Sequence, residues 1–286
     1  MRVIERIERQ ASRLRPDVEE LARMIDQTLL QPHEGRAAIK RLCDQAVRYG
    51  FGRVCIHPYW VPLCRKLLAG TGVEVITVVG FPHGLETAEI KVAETVKAVE
   101  MGVGEVDMVM NVGAFRDRRY DEIRREIEGV VKAADGRVVK VIIETGFLTY
   151  EEVKRASILV KEAGAHFVKT STGFGPMGAT IPHVFLIRQT VGKNFGVKAS
   201  GGIRNFMDVL RMIAAGANRI GTSSGPAIID GYRRRADLEW SFEIPCNLCP
   251  SGKPEARRMP PDVYDYYSSK CVNCVFRRYR LRSRDR

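Results

Sequence analysis

The sequence predicts a (β/α)8 barrel of the TIM type, and three observations predict it. Eight short Val- and Ile-rich runs recur between residues 23 and 224. Amphipathic stretches such as ETAEIKVAETVKAVEMG and TYEEVKRASILVKEAG separate them. Several of these end in Gly, the residue that most readily takes the left-handed helix cap. Polar residues then gather at the C-terminal ends of the runs, where barrels carry their chemistry. Strict alternation demands parallel strands joined by crossover helices, and eight such units close a barrel. A doubly wound sheet is the competing architecture. It asks for a glycine-rich dinucleotide loop after the first strand, and IDQTLLQPHEG has none.

The elements follow in order. In MRVIERIERQASRLRP, the residues Ile4, Ile7, Ala11 and Leu14 recur at helical spacing, which predicts a short amphipathic helix and not the apolar core of a signal peptide. No stretch approaches the roughly 18 consecutive apolar residues that span a bilayer. A cytoplasmic protein without membrane contact is therefore expected. Strands are expected near 23–29 (RMIDQTL), 52–57 (GRVCIH), 74–80 (EVITVVG), 104–111 (GEVDMVMN), 138–145 (VVKVIIET), 166–172 (HFVKTST), 196–201 (GVKASG) and 219–224 (RIGTSS). Their ends offer Asp26, His57, Asp107, Asn111, Lys140, Glu144, Lys169, Ser171, Lys198, Ser200 and Ser223.

Side chains alternate along a strand, so Asp107 shares a face with Asn111, Lys140 with Glu144, Lys169 with Ser171, and Lys198 with Ser200. Their neighbours Met108, Val139, Val168 and Val197 are apolar and suit packing against helices. The charged faces therefore point into the barrel, with too many charges for an inert core. Lys169 and Lys198, on adjacent strands, bring two ammonium groups together in a half-buried site. Like charge and desolvation both disfavour the protonated form, so one lysine is expected to be neutral, as imine chemistry on a carbonyl requires. Asp107 is placed to move protons. A purely structural ion network of Lys140, Glu144, Asp107 and the two lysines is the competing reading.

ASGGIRNF follows the seventh strand and GTSSGP the eighth, the two loops that bind phosphate in many barrels. Gly201 and Gly202 let backbone N–H groups approach an anion ahead of a helix N-terminus. Arg204 adds charge, and Ser223 and Ser224 add hydroxyls. Cys55 reads as a small barrel residue or a site-lining thiol. His57 and His83 sit in turns, and no third histidine makes a catalytic metal site with them.

These segments in order (MIDQTLL, VCIHP, VVGFPHG, EVDMVMNVGAF, KVIIETGFLT, FVKTSTGFGPMGAT, VKASGGIR and RIGTSSG) resemble the deoxyribose-phosphate aldolase family over residues 22 to 226. The resemblance implies a cofactor-free class I aldol reaction that interconverts 2-deoxy-D-ribose 5-phosphate with acetaldehyde and D-glyceraldehyde 3-phosphate. Lys169 falls on the family's Schiff-base lysine, Lys198 on its second lysine, and Asp107 on its proton donor and acceptor. Asp26 and Thr172 match positions of the proton relay or substrate contact. Gly173, Lys140 and Cys55 are further candidates for the substrate pocket. Phe174 stands where some members carry lysine, Gln27 where many carry histidine, and the chain ends in RRYRLRSRDR where some members end in tyrosine. Small phosphorylated sugars, aldehydes and further copies of the chain, as a dimer or tetramer, are the expected partners.

Of 286 residues carrying a net charge of +12, the last 54 hold 13 Lys+Arg and 7 Asp+Glu, half of the excess. This sets an expected boundary between a barrel at 1–232 and a module at 233–286. There, Cys246 and Cys249 form one CxxC, Cys271 and Cys274 another, 21 residues apart. That spacing fits a four-thiolate structural zinc site, which supplies folding energy to a segment too polar to build a core. Disulfides or iron are the alternatives. Six arginines among the last ten residues, interleaved with aromatics, raise nucleic-acid binding as a second class of function. A structural clip is the favoured reading, because an aldolase has no evident need for nucleic acid.

Overall fold

The structure, a computed structural model, describes residues 2–234. The chain opens with α1 (Arg2–Arg13) and α2 (Val18–Arg23), then alternates: β1 (Ile25–Leu29), α3 (Arg36–Tyr49), β2 (Arg53–Ile56), α4 (Val61–Leu67), β3 (Glu74–Val79), α5 (Ala88–Glu100), β4 (Glu105–Val109). It continues through α6 (Val112–Arg116), α7 (Tyr120–Ala133), β5 (Val138–Ile142), α8 (Tyr150–Glu162), β6 (Phe167–Lys169) and α9 (Ile181–Val191). It closes with β7 (Gly196–Ser200), α10 (Phe206–Ala215), β8 (Arg219–Thr222) and α11 (Gly225–Arg233). Every strand is parallel to its neighbours, and β8 returns to β1, so the sheet has no edge.

All eight expected strands form, and all but β1 stop short of the expected C-terminal end. The run at 166–172 pairs only through Lys169. Thr170 still donates its N–H to Lys198 O at 3.0 Å and accepts the Thr145 N–H at 2.9 Å, and Ser171 and Thr172 begin the loop. Asn111 likewise leaves the inward face: it caps α6, its side-chain oxygen accepting the Ala114 N–H at 3.0 Å.

The apolar strand faces make the layer between sheet and helices. Met108, Val139, Val168 and Val197 are fully buried there. Sequence grammar sets the helix starts. Thr149 and Glu152 form a capping box on α8, Asn205 and Asp208 one on α10, and Asp17 caps α2. The N-terminal helix is part of the barrel wall. Ile7 and Ala11 are buried on α10, where Glu8 also pairs with Arg211 at 2.9 Å. Among the described residues no helix is long and apolar enough to cross a membrane.

Candidate active site

Alternation along the strands builds the site. Asp26 on β1, Asp107 on β4, Lys140 on β5, Lys169 on β6 and Lys198 on β7 all face the barrel interior. Strand register sets Asp107 beside Lys140 and Lys169 beside Lys198. Asp26, Asp107, Lys140 and Lys198 are wholly buried, and Lys169, nearest the mouth, is 2% exposed.

Asp107 is the hub. Its Oδ1 accepts from Lys140 Nζ at 2.8 Å, and its Oδ2 accepts from both Lys169 Nζ (2.8 Å) and Lys198 Nζ (2.7 Å). Lys198 has a second carboxylate, Asp26, at 2.5 Å. Burial by itself would push the Asp107 carboxyl up. The ammonium groups of Lys140, Lys169 and Lys198 outweigh it and hold the group well below the usual carboxylate range. Asp26 is likewise lowered, with burial outweighed by Lys198 and Arg219.

The expected repulsion between Lys169 and Lys198 needs correction. Both lysines donate to the same Asp107 oxygen, so a shared anion stands between the two cations. For Lys198, burial favours the neutral amine, but Asp107 and Asp26 together outweigh it and raise its pKa above the ordinary value. Lys198 is therefore held in its charged form. A second correction concerns Glu144, which lies near Lys169 but makes no ion pair with the lysines. It turns to the loop after β6, where Thr172 donates both its N–H (3.1 Å) and its hydroxyl to Oε2. Burial raises the Glu144 pKa against those hydrogen bonds.

Two residues of the network escape a reading of strand ends alone. Glu105 and Arg219 start β4 and β8, at the opposite end of the barrel from the loops. Glu105 contacts Lys140 Nζ through Oε2 and takes Arg53 Nε at 2.9 Å through Oε1. Arg219 Nη1 reaches Glu105 Oε2 at 3.1 Å and Asp26 Oδ1 at 3.0 Å. Period two was the available signal, since Glu105 shares a face with Asp107.

The loops after β6, β7 and β8 converge at the mouth. The N–H of Ala179 donates to Ser200 O and Gly201 O, both at 3.0 Å. A Cβ on Gly178 would lie 2.1 Å from Gly201 O, so only glycine allows this approach. Gly173, Gly201 and Gly202 all have positive φ. Arg204 is exposed, and its backbone N–H donates to Asp208. Ser223 is exposed, and Ser224 occupies the N-cap position of α11 without a side-chain capping bond. Gln27 ties this last loop to β1, donating to Ser223 O at 3.3 Å and accepting the Gly225 N–H at 3.1 Å. Cys55 is buried inside the barrel beside Leu30, Ile76, Val78 and Phe81, and burial first of all pushes its thiol up to about 11. Phe174, 43% exposed, meets Phe81 edge to face at 5.5 Å, and Phe81 meets His57 at 5.7 Å. Phe174 thus becomes one wall of an aromatic rim. Among the described residues, no group of three or more His, Cys, Asp or Glu is arranged to hold a metal ion. Cys246, Cys249, Cys271 and Cys274 lie outside the described residues.

A closed parallel barrel with a lysine–carboxylate centre beneath its C-terminal loops is the arrangement of a barrel enzyme. The chain belongs to the DeoC/LacD family of aldolases, whose family profile matches residues 21–231. The deoxyribose-phosphate aldolase of Dictyoglomus turgidum is 52% identical over 212 residues, covering 74% of this chain and 97% of that one. Its counterpart from a Thermoanaerobacter strain is 53% identical over 217 residues, covering 75% and 97%. Among solved structures, the tetrameric deoxyribose phosphate aldolase of Aeropyrum pernix superposes with a TM-score of 0.75 at 33% identity, covering 80% of this chain and 97% of that one.

Proposed function

We propose that this chain is a deoxyribose-phosphate aldolase that reversibly cleaves 2-deoxy-D-ribose 5-phosphate to D-glyceraldehyde 3-phosphate and acetaldehyde through an imine on Lys169. The observation that carries this reading is the unequal pairing of the three lysines. Lys140 and Lys198 each hold two carboxylates, whereas Lys169 holds only Asp107 and is the lysine nearest the mouth. Freeing Lys169 as a neutral amine therefore breaks one ion pair, where freeing either of the others breaks two.

In the cleavage direction, the Lys169 nitrogen adds to the aldehyde carbon of the open-chain sugar, and water leaves to give the protonated imine. A base removes the proton from the hydroxyl on carbon 3. The bond between carbons 2 and 3 then breaks, its electrons move toward the iminium nitrogen, and glyceraldehyde 3-phosphate departs. The enamine takes a proton at carbon 2, and water hydrolyses the imine to release acetaldehyde and regenerate the amine. Asp107, in contact with Lys169 and Lys198, is the group assigned to move these protons, and Lys198 keeps a positive charge beside it. Lys140 lies deeper and holds Asp107 in place, which favours a supporting role over substrate contact. Asp26 does the same for Lys198, and Thr172 lines the entrance.

The loops carrying Gly201, Gly202, Arg204, Ser223 and Ser224, each followed by a helix N-terminus, are assigned to the 5-phosphate. Deoxyribose without phosphate should react with a much lower kcat/KM, because anchoring the phosphate holds the carbonyl in place. Steady-state kinetics on the two sugars checks this, and equal efficiency would remove the phosphate assignment. The reading includes a cytoplasmic homo-oligomer, in keeping with the tetramer named for the Aeropyrum pernix relative. It also includes one structural zinc on Cys246, Cys249, Cys271 and Cys274, supported by the paired CxxC spacing. Metal analysis of the full chain should give about one zinc per chain by that four-ligand count. Stripping the metal should lower the melting temperature and spare turnover.

A further inference from the structure

The ion pairs of the barrel close on themselves. From Asp107 the contacts run to Lys140, then Glu105, Arg219, Asp26 and Lys198, and from Lys198 back to Asp107. Three carboxylates alternate with three cations in a ring carried by β1, β4, β5, β7 and β8. Its formal charge is zero. Lys169 is not a member; it hangs from Asp107 as an added cation.

We propose that Glu105 and Arg219, which lie at the end of the barrel away from substrate, are positioning residues whose opposite charges balance this ring and so set the pH at which the Lys169 site becomes active. The proposal rests on the imine assignment above. The physical argument is electrostatic. In a largely buried ring a charge added or removed at one member is felt at the others, because solvent screens it only weakly. Other charged groups close to these residues form a separate balance. Arg53 on β2 pairs with both Glu105 and Glu74, the latter from β3 at 3.0 Å. The Phe167 ring on β6 lies 5.3 Å from Arg219 and 5.9 Å from Lys140 and carries no charge. Around Lys169 the titratable neighbours are Asp107, Lys198, Glu144 and the Cys55 thiol. Glu105 and Arg219 are thus the ring members that can be changed without touching a group assigned to the reaction.

The sign follows. Glu105→Gln leaves the ring one unit more positive, which disfavours a proton on the neighbouring amine. The acid limb of the kcat/KM profile should move to lower pH by about one unit, the scale of a nearby charge in a buried site. Arg219→Gln leaves the ring one unit more negative, and the limb should move up by a similar amount. In the double variant the charges cancel, and the limb should return toward its original position even if kcat stays low. Glu105→Asp keeps the charge and should keep the limb. A merely structural role predicts lower activity or stability with unmoved limbs. Limbs that stay in place, or that move in the same direction in both single variants, would overturn the proposal. So would failure of both single variants to fold, since a charge that only tunes the site does not hold the barrel together. Acetaldehyde and borohydride separate the underlying assumption: a wild-type adduct absent from Lys169 sinks the imine reading itself, whatever the limbs do.

Discussion

Lys169→Ala protein is expected to be folded and without aldolase turnover above background. Incubation of the wild type with acetaldehyde and borohydride should add a two-carbon unit to Lys169, found by intact mass and peptide mapping, and the variant should take up none. The expectation is strong because no positioned group can replace the amine that forms the imine. Lys198→Arg is the informative companion. It keeps the charge between Asp26 and Asp107 but replaces a compact ammonium by a larger planar guanidinium that cannot hold both carboxylates in the same buried geometry, so most activity should be lost. A labelled Lys198 or Lys140 beside an untouched Lys169 would overturn the assignment.

Asp107→Asn should have the second large effect, in two measurements. Turnover should fall by roughly 10²- to 10⁴-fold, the usual contribution of a positioned acid–base group. Stability should fall too, by about 3–5 kcal/mol, because three buried ammonium groups lose their common counter-ion. The pH dependence distinguishes this from a general packing defect. A carboxyl held below its ordinary value of 3.8 stabilises the fold fully above that pH and loses the contribution as the pH falls below it. The gap in melting temperature between wild type and Asp107→Asn should therefore narrow on acidification below about pH 4. A gap that stays constant to low pH would mean that the ion pairs at Asp107 contribute nothing to stability.

The sequence by itself determined the architecture and the identity of most of the candidate site. Strand and helix periods are local properties, readable from Val–Ile runs, from Thr149 and Glu152 before α8, and from the glycines that follow several helices. Alternation also sorted Asp107, Lys140, Lys169 and Lys198 onto the inner face, since period two holds wherever a strand is regular. It failed where the strand ends: Asn111 and Glu144 continue the pattern on paper, yet the backbone has already turned, and one caps a helix while the other meets Thr172. Only the tertiary structure decided which charges are partners. Glu105 and Arg219 are 114 residues apart, and Asp26 and Arg219 are 193 apart. Whether such groups meet depends on the stagger of the closed barrel, which no local pattern contains. The same closure removes the expected repulsion at Lys198. Read along the chain, the residue looks like a cation beside a cation. Within the barrel, carboxylates from β1 and β4 flank it, and at a fully buried site these opposite charges outweigh desolvation and raise its pKa.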